Sequence, residues 1–187
     1  MLLRTGKEAV CICDGEIPCS LDFLLGSGDL HCEIPDGTDF VISVDVASPG
    51  QLGIYAPLAD RFDAMIDHHA TGEPFAPCFL DGGAAAAAEL VYQVYDALRR
   101  AGDIPEMPDV CRLLYAGLVD DTGNLKYSNV TPETFRYAAY ARTNATRKQF
   151  VLAKTLGKLF AATRNWGYNE QNILIHGTRK FYTKPRF

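Results

Sequence analysis

The sequence predicts an α/β domain built on an open, mostly parallel sheet flanked by helices. Short, largely apolar runs alternate with helical patterns through the first two thirds of the 187 residues. Apolar residues make up 48% of the chain and charged residues 22%, which is near the globular norm and allows a sizeable core. These observations exclude a wholly disordered chain and predict one domain, with or without an appendage.

Three runs carry the strand prediction. They cover residues 9–13, 40–44 and 62–66, and each is short, mainly apolar and rich in β-formers. Such runs are typical of strands in a parallel sheet that is covered by helices on its faces.

Three helices are predicted after these strands. Residues 84–100 place their apolar side chains on one stripe, and Gly102 is a natural stop. The same spacing recurs over residues 110–118. Thr131-Pro132-Glu133 is a helix start, with Thr as N-cap and Pro in the first turn. The mixture of strands and helices indicates a sheet with mainly parallel order.

Neither a membrane span nor a secretory leader is indicated. No apolar run approaches the roughly 20 residues that cross a bilayer, and the first seven residues lack the apolar core of a signal peptide. We therefore expect a cytoplasmic protein with no membrane partner. The six cysteines form no CxxC pair, and we assign them no function.

The net charge of −5 conceals a division of the chain. Residues 1–139 hold 8 Lys/Arg and 22 Asp/Glu, whereas residues 140–187 hold 10 Lys/Arg and one acid, Glu170. Such asymmetry suggests that the two segments do different jobs or have different origins. Basic residues interleaved with aromatic ones in the last segment can bind single-stranded nucleic acid, although a solvated helix with a frayed tail is the plainer interpretation.

Polar side chains follow two of the predicted strands where each strand ends. The run 40–44 leads into Asp45, and the run 62–66 leads into Asp67-His68-His69. Because ligands bind beyond the carboxyl ends of strands in open α/β sheets, we expect these side chains to converge on one site.

Carboxylate oxygen together with imidazole nitrogen favours Mn, Fe, Co or Zn, and Mg less because it prefers oxygen ligands alone. A third acid, Asp121, stands where a predicted helix gives way to a turn at Gly123. Each piece alone has a plainer alternative, since an Asp at a strand end is commonly a turn residue and a His-His pair is commonly surface structure. The ordered combination predicts a metal site.

That order resembles the DHH phosphoesterase family. The residues that carry the resemblance are Val44-Asp45-Val46-Ala47-Ser48, then Ile66-Asp67-His68-His69, then the run from Asp121-Thr122-Gly123 to Tyr127-Ser128-Asn129. The likeness covers about residues 1–140 and is closest to the branch of nanoRNA and phosphoadenosine-phosphate phosphatases, relatives of RecJ-type exonucleases.

The resemblance implies a site with two manganese ions, with Mg²⁺ or Co²⁺ as alternatives. By resemblance, Asp45 would bridge both ions, His68 and Asp121 would bind one of them, and His69 would face the phosphate. Asp67 would orient its neighbours without touching an ion. The implied activity is that of a hydrolase, a nuclease or nucleotide phosphatase, and paired metals suit it because they clamp a phosphate and lower the pKa of a bound water.

The sequence also departs from the family pattern. The family's first motif, a His followed closely by two Asp, should lie well upstream of Asp45, and the chain is expected to begin after it. The segment from His31 to Asp39 superficially suggests that motif, but a strand advances about 3.3 Å per residue, so Asp39 and Asp45 belong at opposite strand ends. We therefore interpret the segment as a loop. The family's C-terminal substrate domain is also not found.

These observations predict two regions. Residues 1–142 would be a DHH-type phosphoesterase domain lacking its N-terminal motif, and residues 143–187 a basic helical segment. The predicted function is hydrolysis of small nucleotide phosphates or short oligonucleotides, with this chain alone expected to be inactive. The alternative is a non-catalytic remnant that binds a partner or single-stranded nucleic acid through its basic tail. A homodimer is one option for the assembly of the protein.

Overall fold

The structure, a computed structural model, describes residues 1, 6–13 and 30–144. The elements in chain order are β1 (Cys11–Ile12), β2 (Leu30–His31), β3 (Ile42–Val44), β4 (Ala64–Asp67), β5 (Cys78–Leu80), α1 (Ala87–Ala101), α2 (Pro108–Asp121) and α3 (Pro132–Asn144). Two 3₁₀ segments, Pro49–Gln51 and Gly53–Arg61, connect β3 to β4. Of the basic segment that the sequence predicts over residues 143–187, residues 145–187 lie outside the described residues.

The described strands form two parallel sheets. In the larger one the order is β3-β4-β5, with Val44 opposite Ile66 and Asp67 opposite Leu80. In the smaller one β1 pairs with β2 through Cys11–Leu30 and Ile12–His31. Because β3, β4 and β5 run in the same direction, their carboxyl ends meet at one edge, and this edge carries the candidate site.

Apolar faces of the three helices meet in a core behind that edge. One cluster, from the segment before α1 and from α2 and α3, contains Ala86, Tyr115, Leu118, Val119, Ala138 and Ala141, all buried. A second, around the end of α1 and the start of α2, contains Tyr95, Ile104, Met107, Val110 and Leu114. A third lies beside the larger sheet and contains Val41, Val46, Leu52, Tyr55 and Phe62. Removing this apolar area from water provides the main drive for folding.

The predicted fold class is confirmed, as are α2 and α3. The Oγ1 atom of Thr131 accepts the N–H of Thr134 at 3.2 Å, which makes Thr131 the predicted cap of α3. Gly102, with φ of 82°, ends α1 in the left-handed conformation.

Three predictions need correction. The helix expected from residue 84 begins at Ala87, since Ala86 is still extended at φ −158° and ψ 148°. The run 9–13 contributes only two strand residues, and β5 was not predicted, because its three residues offer too short a pattern. The segment starting at His31 is not wholly a loop, since His31 itself pairs in β2.

No described helix is long and apolar enough to cross a membrane.

Candidate metal centre

Asp45 occupies the turn directly after β3. Its φ is +63°, a left-handed conformation that costs a side-chain-bearing residue about 1–2 kcal/mol. Its N–H donates to the Ile66 carbonyl at 2.8 Å, and this bond fixes the turn against β4. The side chain is buried, and its Oδ1 has no hydrogen-bond partner among the described residues. A strained backbone that delivers an unsatisfied buried carboxylate is typical of a functional position.

Asp67 is the last residue of β4 and is 3% exposed. Its Oδ1 accepts two hydrogen bonds, from the His68 backbone N–H at 2.9 Å and from His69 Nδ1 at 2.7 Å. Burial raises the pKa of this carboxyl, but the His69 ring and the hydrogen bonds outweigh burial, so the pKa is lowered. Asp67 therefore stays ionised and holds its two neighbours in place.

His68 points one ring nitrogen at the backbone and the other at two carboxylates. Its Nδ1 lies 3.1 Å from the Ala84 carbonyl oxygen, which can only accept, so Nδ1 carries the hydrogen. Its Nε2 lies 3.4 Å from Asp45 Oδ1 and 3.7 Å from Asp121 Oδ2. Burial lowers the pKa of His68, but the two carboxylates more than compensate and raise it to about 9. The same two carboxylates that attract a proton to Nε2 would attract a cation beside it.

His69 is turned the other way. Its Nδ1 donates to Asp67 Oδ1 and lies 3.8 Å from Asp45 Oδ1, while the two imidazole centroids are 4.8 Å apart. The hydrogen bond to Asp67 raises the pKa of His69 against the opposing effect of burial. Because Nδ1 is committed to Asp67, the chemistry that His69 can offer lies at Nε2.

Asp121 is the last residue of α2, and the loop after it is wound in the left-handed sense. Gly123, Asn124 and Leu125 have φ of 54°, 63° and 63°. The fully buried Thr122 holds this turn, donating its hydroxyl to Leu118 O at 2.5 Å and accepting the Leu125 N–H at 3.0 Å. The helix therefore stops abruptly, which leaves the Asp121 carboxylate beside His68.

The donor atoms fit a divalent cation. One ligand atom from each of Asp45, His68 and His69 lies within 4.8 Å of the other two, a spacing that an ion could draw together. The unsatisfied Asp45 Oδ1 supplies the negative charge that such an ion would balance. Among the described residues this is the group with metal-binding geometry. The group includes His69, to which the resemblance assigned a contact with phosphate. It does not include Asp121, although Asp121 Oδ2 lies 3.7 Å from His68 Nε2.

Sequence reasoning missed the groups that orient these ligands. Ala84 and Ala85 act through backbone carbonyls, which leave no signal in a sequence. Asn129 belongs to the motif that carries the resemblance, yet no role was predicted for it. Its side-chain amide donates to Ala85 O at 3.1 Å and to Asp121 O at 3.3 Å.

Two of the curated proteins that this chain resembles carry the same name. The bifunctional oligoribonuclease and PAP phosphatase NrnA of Thermus thermophilus is 31% identical over 142 residues, covering 74% of this chain and 41% of that enzyme. The protein of the same name from Bacillus subtilis is 28% identical over 139 residues, covering 74% and 44%. This chain thus spans less than half the length of these curated relatives. No protein-family model matches it.

A solved structure shares the fold. A Methanococcus jannaschii protein assigned as a family II inorganic pyrophosphatase superposes with a TM-score of 0.61 at 19% identity, covering 84% of this chain and 52% of that one. At this identity the likeness concerns the fold alone. The two curated relatives confirm the resemblance that the order of the motifs carries, and the solved structure shows that the α/β fold is shared.

Proposed function

We propose that this domain carries part of a site that hydrolyses small nucleotide phosphates or short oligonucleotides with a bound divalent metal ion, preferably Mn²⁺, and that this chain alone turns such substrates over negligibly. The observation that carries the proposal is the buried Asp45 Oδ1, which has no hydrogen-bond partner among the described residues and faces two imidazoles. Both curated relatives are named as oligoribonucleases and PAP phosphatases, which supports this substrate class.

In this proposal Asp45, His68 and Asp121 hold the ion. His68 suits the role because the Ala84 carbonyl fixes the hydrogen on Nδ1 and leaves the Nε2 lone pair for a metal once its proton has left. Asp45, buried and held by its turn, would bridge to a second ion as the resemblance implies. Asp121 would complete the set from the end of α2. A donor set of carboxylates and an imidazole favours Mn²⁺ or Co²⁺ over Mg²⁺.

When bound, the ion would stabilise negative charge on the phosphate and lower the pKa of a coordinated water. The protein's own residues do the rest. Asp67 keeps the His69 ring oriented through Nδ1, and its negative charge favours the imidazolium. His69 can then donate from Nε2 to a phosphate oxygen, a charge-assisted hydrogen bond that strengthens as charge builds up on the phosphate.

The remaining expectations rest on sequence. We propose that the phosphoesterase domain covers residues 1–142 and that residues 143–187 form a separate basic segment. The alternative function, binding of single-stranded nucleic acid or a partner through that segment, falls mainly on residues outside the described part. A homodimer gains no support from the relatives or the described residues and stays a prediction.

A manganese titration tests the proposal. The parent chain and two variants are titrated calorimetrically, one being Asp45→Asn and the other the matched control Asp39→Asn. Asp39 is an exposed acid near the opposite end of β3, so its loss should leave the centre intact. We expect at most one weakly held ion per chain in the parent and the control, because the described donors form one group, and none in Asp45→Asn.

Equal binding by the parent and Asp45→Asn, or no binding by the parent, would contradict the proposal. Two tightly bound ions would show that further ligands exist beyond those assigned, and the region around His31 would need renewed attention.

A further inference from the structure

The three residues before α1, Ala84-Ala85-Ala86, form a largely buried, non-helical segment that has no polar side chain of its own. Ala85 and Ala86 are 0% exposed, and no side chain of Ala86 caps the helix. Backbone polar groups that are buried in this way need partners from elsewhere in the molecule. The side chains that supply partners for the carbonyls therefore help to hold this segment in place.

Two side chains bind the carbonyls of this segment. The His68 ring donates from Nδ1 to Ala84 O at 3.1 Å, and the Asn129 amide donates from Nδ2 to Ala85 O at 3.1 Å. The same Asn129 nitrogen also reaches Asp121 O at 3.3 Å. Because both of its acceptors are carbonyl oxygens, the amide must present its nitrogen here rather than its oxygen. The Asn129 side chain thus links Ala85, the neighbour of the residue that accepts from His68, with Asp121.

We propose that Asn129 is a positioning residue of the metal centre, which clamps the Ala84–Ala86 segment to the end of α2. This inference rests on the proposed function, since it concerns the same ligands. The direction of the His68 ring depends on the place of Ala84 O, and the place of the Asp121 carboxylate depends on the last turn of α2. Asn129 links these two supports. It therefore helps to set the 3.7 Å distance between His68 Nε2 and Asp121 Oδ2.

The general packing of α1 does not depend on this clamp. The buried carboxylate of Glu89 on α1 accepts the Thr134 hydroxyl of α3 at 2.6 Å, so these helices have a tether of their own. Asn129 itself lies on the surface. Loss of the Asn129 side chain should therefore weaken metal binding more than it lowers the free energy of unfolding.

The test compares Asn129→Ala and Asn129→Asp with the matched control Asn144→Ala. Asn144 donates within its own helix, to Tyr140 O at 3.0 Å. The aspartate keeps the shape of asparagine but has no N–H to donate, so it should not rescue the clamp. Mn²⁺ affinity is measured by calorimetry, and the free energy of unfolding is measured in urea with EDTA present.

Loss of a group that supports a metal ligand typically weakens affinity about 10–100-fold, and an indirect clamp belongs at the lower end. We expect both Asn129 variants to bind Mn²⁺ about tenfold more weakly than Asn144→Ala at a similar free energy of unfolding. A merely structural role would lower stability without this selective loss of affinity. Equal affinity in Asn129→Ala and Asn144→Ala overturns the inference.

A second readout separates failure of the clamp from failure of the proposed function. In metal-free protein labelled with ¹⁵N-histidine, exchange of the His68 Nδ1 hydrogen with water reports directly on its bond to Ala84 O. Faster exchange in Asn129→Ala than in Asn144→Ala supports the clamp even if the parent binds no Mn²⁺, a result that would refute only the proposed metal centre. Unchanged exchange overturns the clamp.

Discussion

Two features favour glycine at position 123: the left-handed backbone there, and the Tyr127 ring, which leaves no room for a Cβ atom. The substitution Gly123→Ala, compared with suitable variants, separates the two costs. At φ of 54° an alanine pays about 1–2 kcal/mol of left-handed strain. Its Cβ would also lie much closer to Cζ of Tyr127 than the roughly 3.5–4.0 Å of a normal carbon contact. The Tyr127 ring would therefore have to leave its place over the loop. Because that ring is 40% exposed it can rotate away, and we assign this displacement about 1 kcal/mol, the low end for overpacking.

Gly102→Ala is the matched control. Gly102 has φ of 82°, and nothing lies within 4 Å of its hypothetical Cβ, so alanine there should cost about 1–2 kcal/mol from strain alone. Gly123→Ala should cost about 2–3 kcal/mol in the parent, and only about 1–2 kcal/mol when Tyr127 is also changed to alanine. Urea unfolding followed by circular dichroism gives these three costs, and the double-mutant cycle of Gly123→Ala with Tyr127→Ala isolates the contact.

Two results would refute this reasoning. The first is a cost for Gly123→Ala no greater than that for Gly102→Ala. The second is a Gly123→Ala cost that does not change when Tyr127 is removed.

Four further outcomes are expected. Thr131→Ala should lower the free energy of unfolding by about 1 kcal/mol through loss of the α3 cap, whereas no change in urea unfolding would argue against that cap. Burial raises the pKa of Glu89, so its stabilising contribution is complete below the unfolded pKa and is lost as the pH rises through the folded pKa. The stability of Glu89→Gln relative to the parent should therefore rise as the pH increases above the ordinary pKa of a glutamate, and a flat difference would contradict this. Single-stranded oligonucleotide binding, if the basic segment provides it, should weaken steeply with salt and disappear on deletion of residues 165–187. The 187-residue chain with Mn²⁺ should hydrolyse phosphoadenosine phosphate negligibly, and robust turnover that is lost in Asp121→Ala would refute this.

The sequence predicts those parts of the site that depend on chain direction. Asp45 and the Asp67-His68-His69 triplet follow apolar runs, and parallel strands bring their carboxyl ends to one edge whatever the loops do. Asp121 was also placed correctly at a helix end, because the turn residue Gly123 follows it closely.

Features that arise from backbone atoms or from the packing of distant segments could not be predicted in the same way. His68 and His69 are neighbours of the same type, yet one ring binds the Ala84 carbonyl and the other a carboxylate, a choice made by segments that meet only after folding. Leu125 has φ of 63° although its residue type gives no sign of it, because Thr122 and Gly123 hold the loop in that winding. Propensity likewise favours helix at residues 84–86, where hydrogen bonds from His68 and Asn129 hold a non-helical segment.

The donors of the centre come from positions that are far apart along the chain, since Asp45 and Asp121 are separated by 76 residues. In an unfolded chain these donors come together only when that long loop closes, which costs conformational entropy. An ion would therefore bind the native state more tightly than a chain in which β3 and α2 are apart. Mn²⁺ at about 100 times its dissociation constant would add about 2.7 kcal/mol to the free energy of unfolding, with the gain growing as the logarithm of concentration. The metal centre would then act as a reversible cross-link between β3 and α2, and the thermal midpoint of the protein would report how much manganese its surroundings contain.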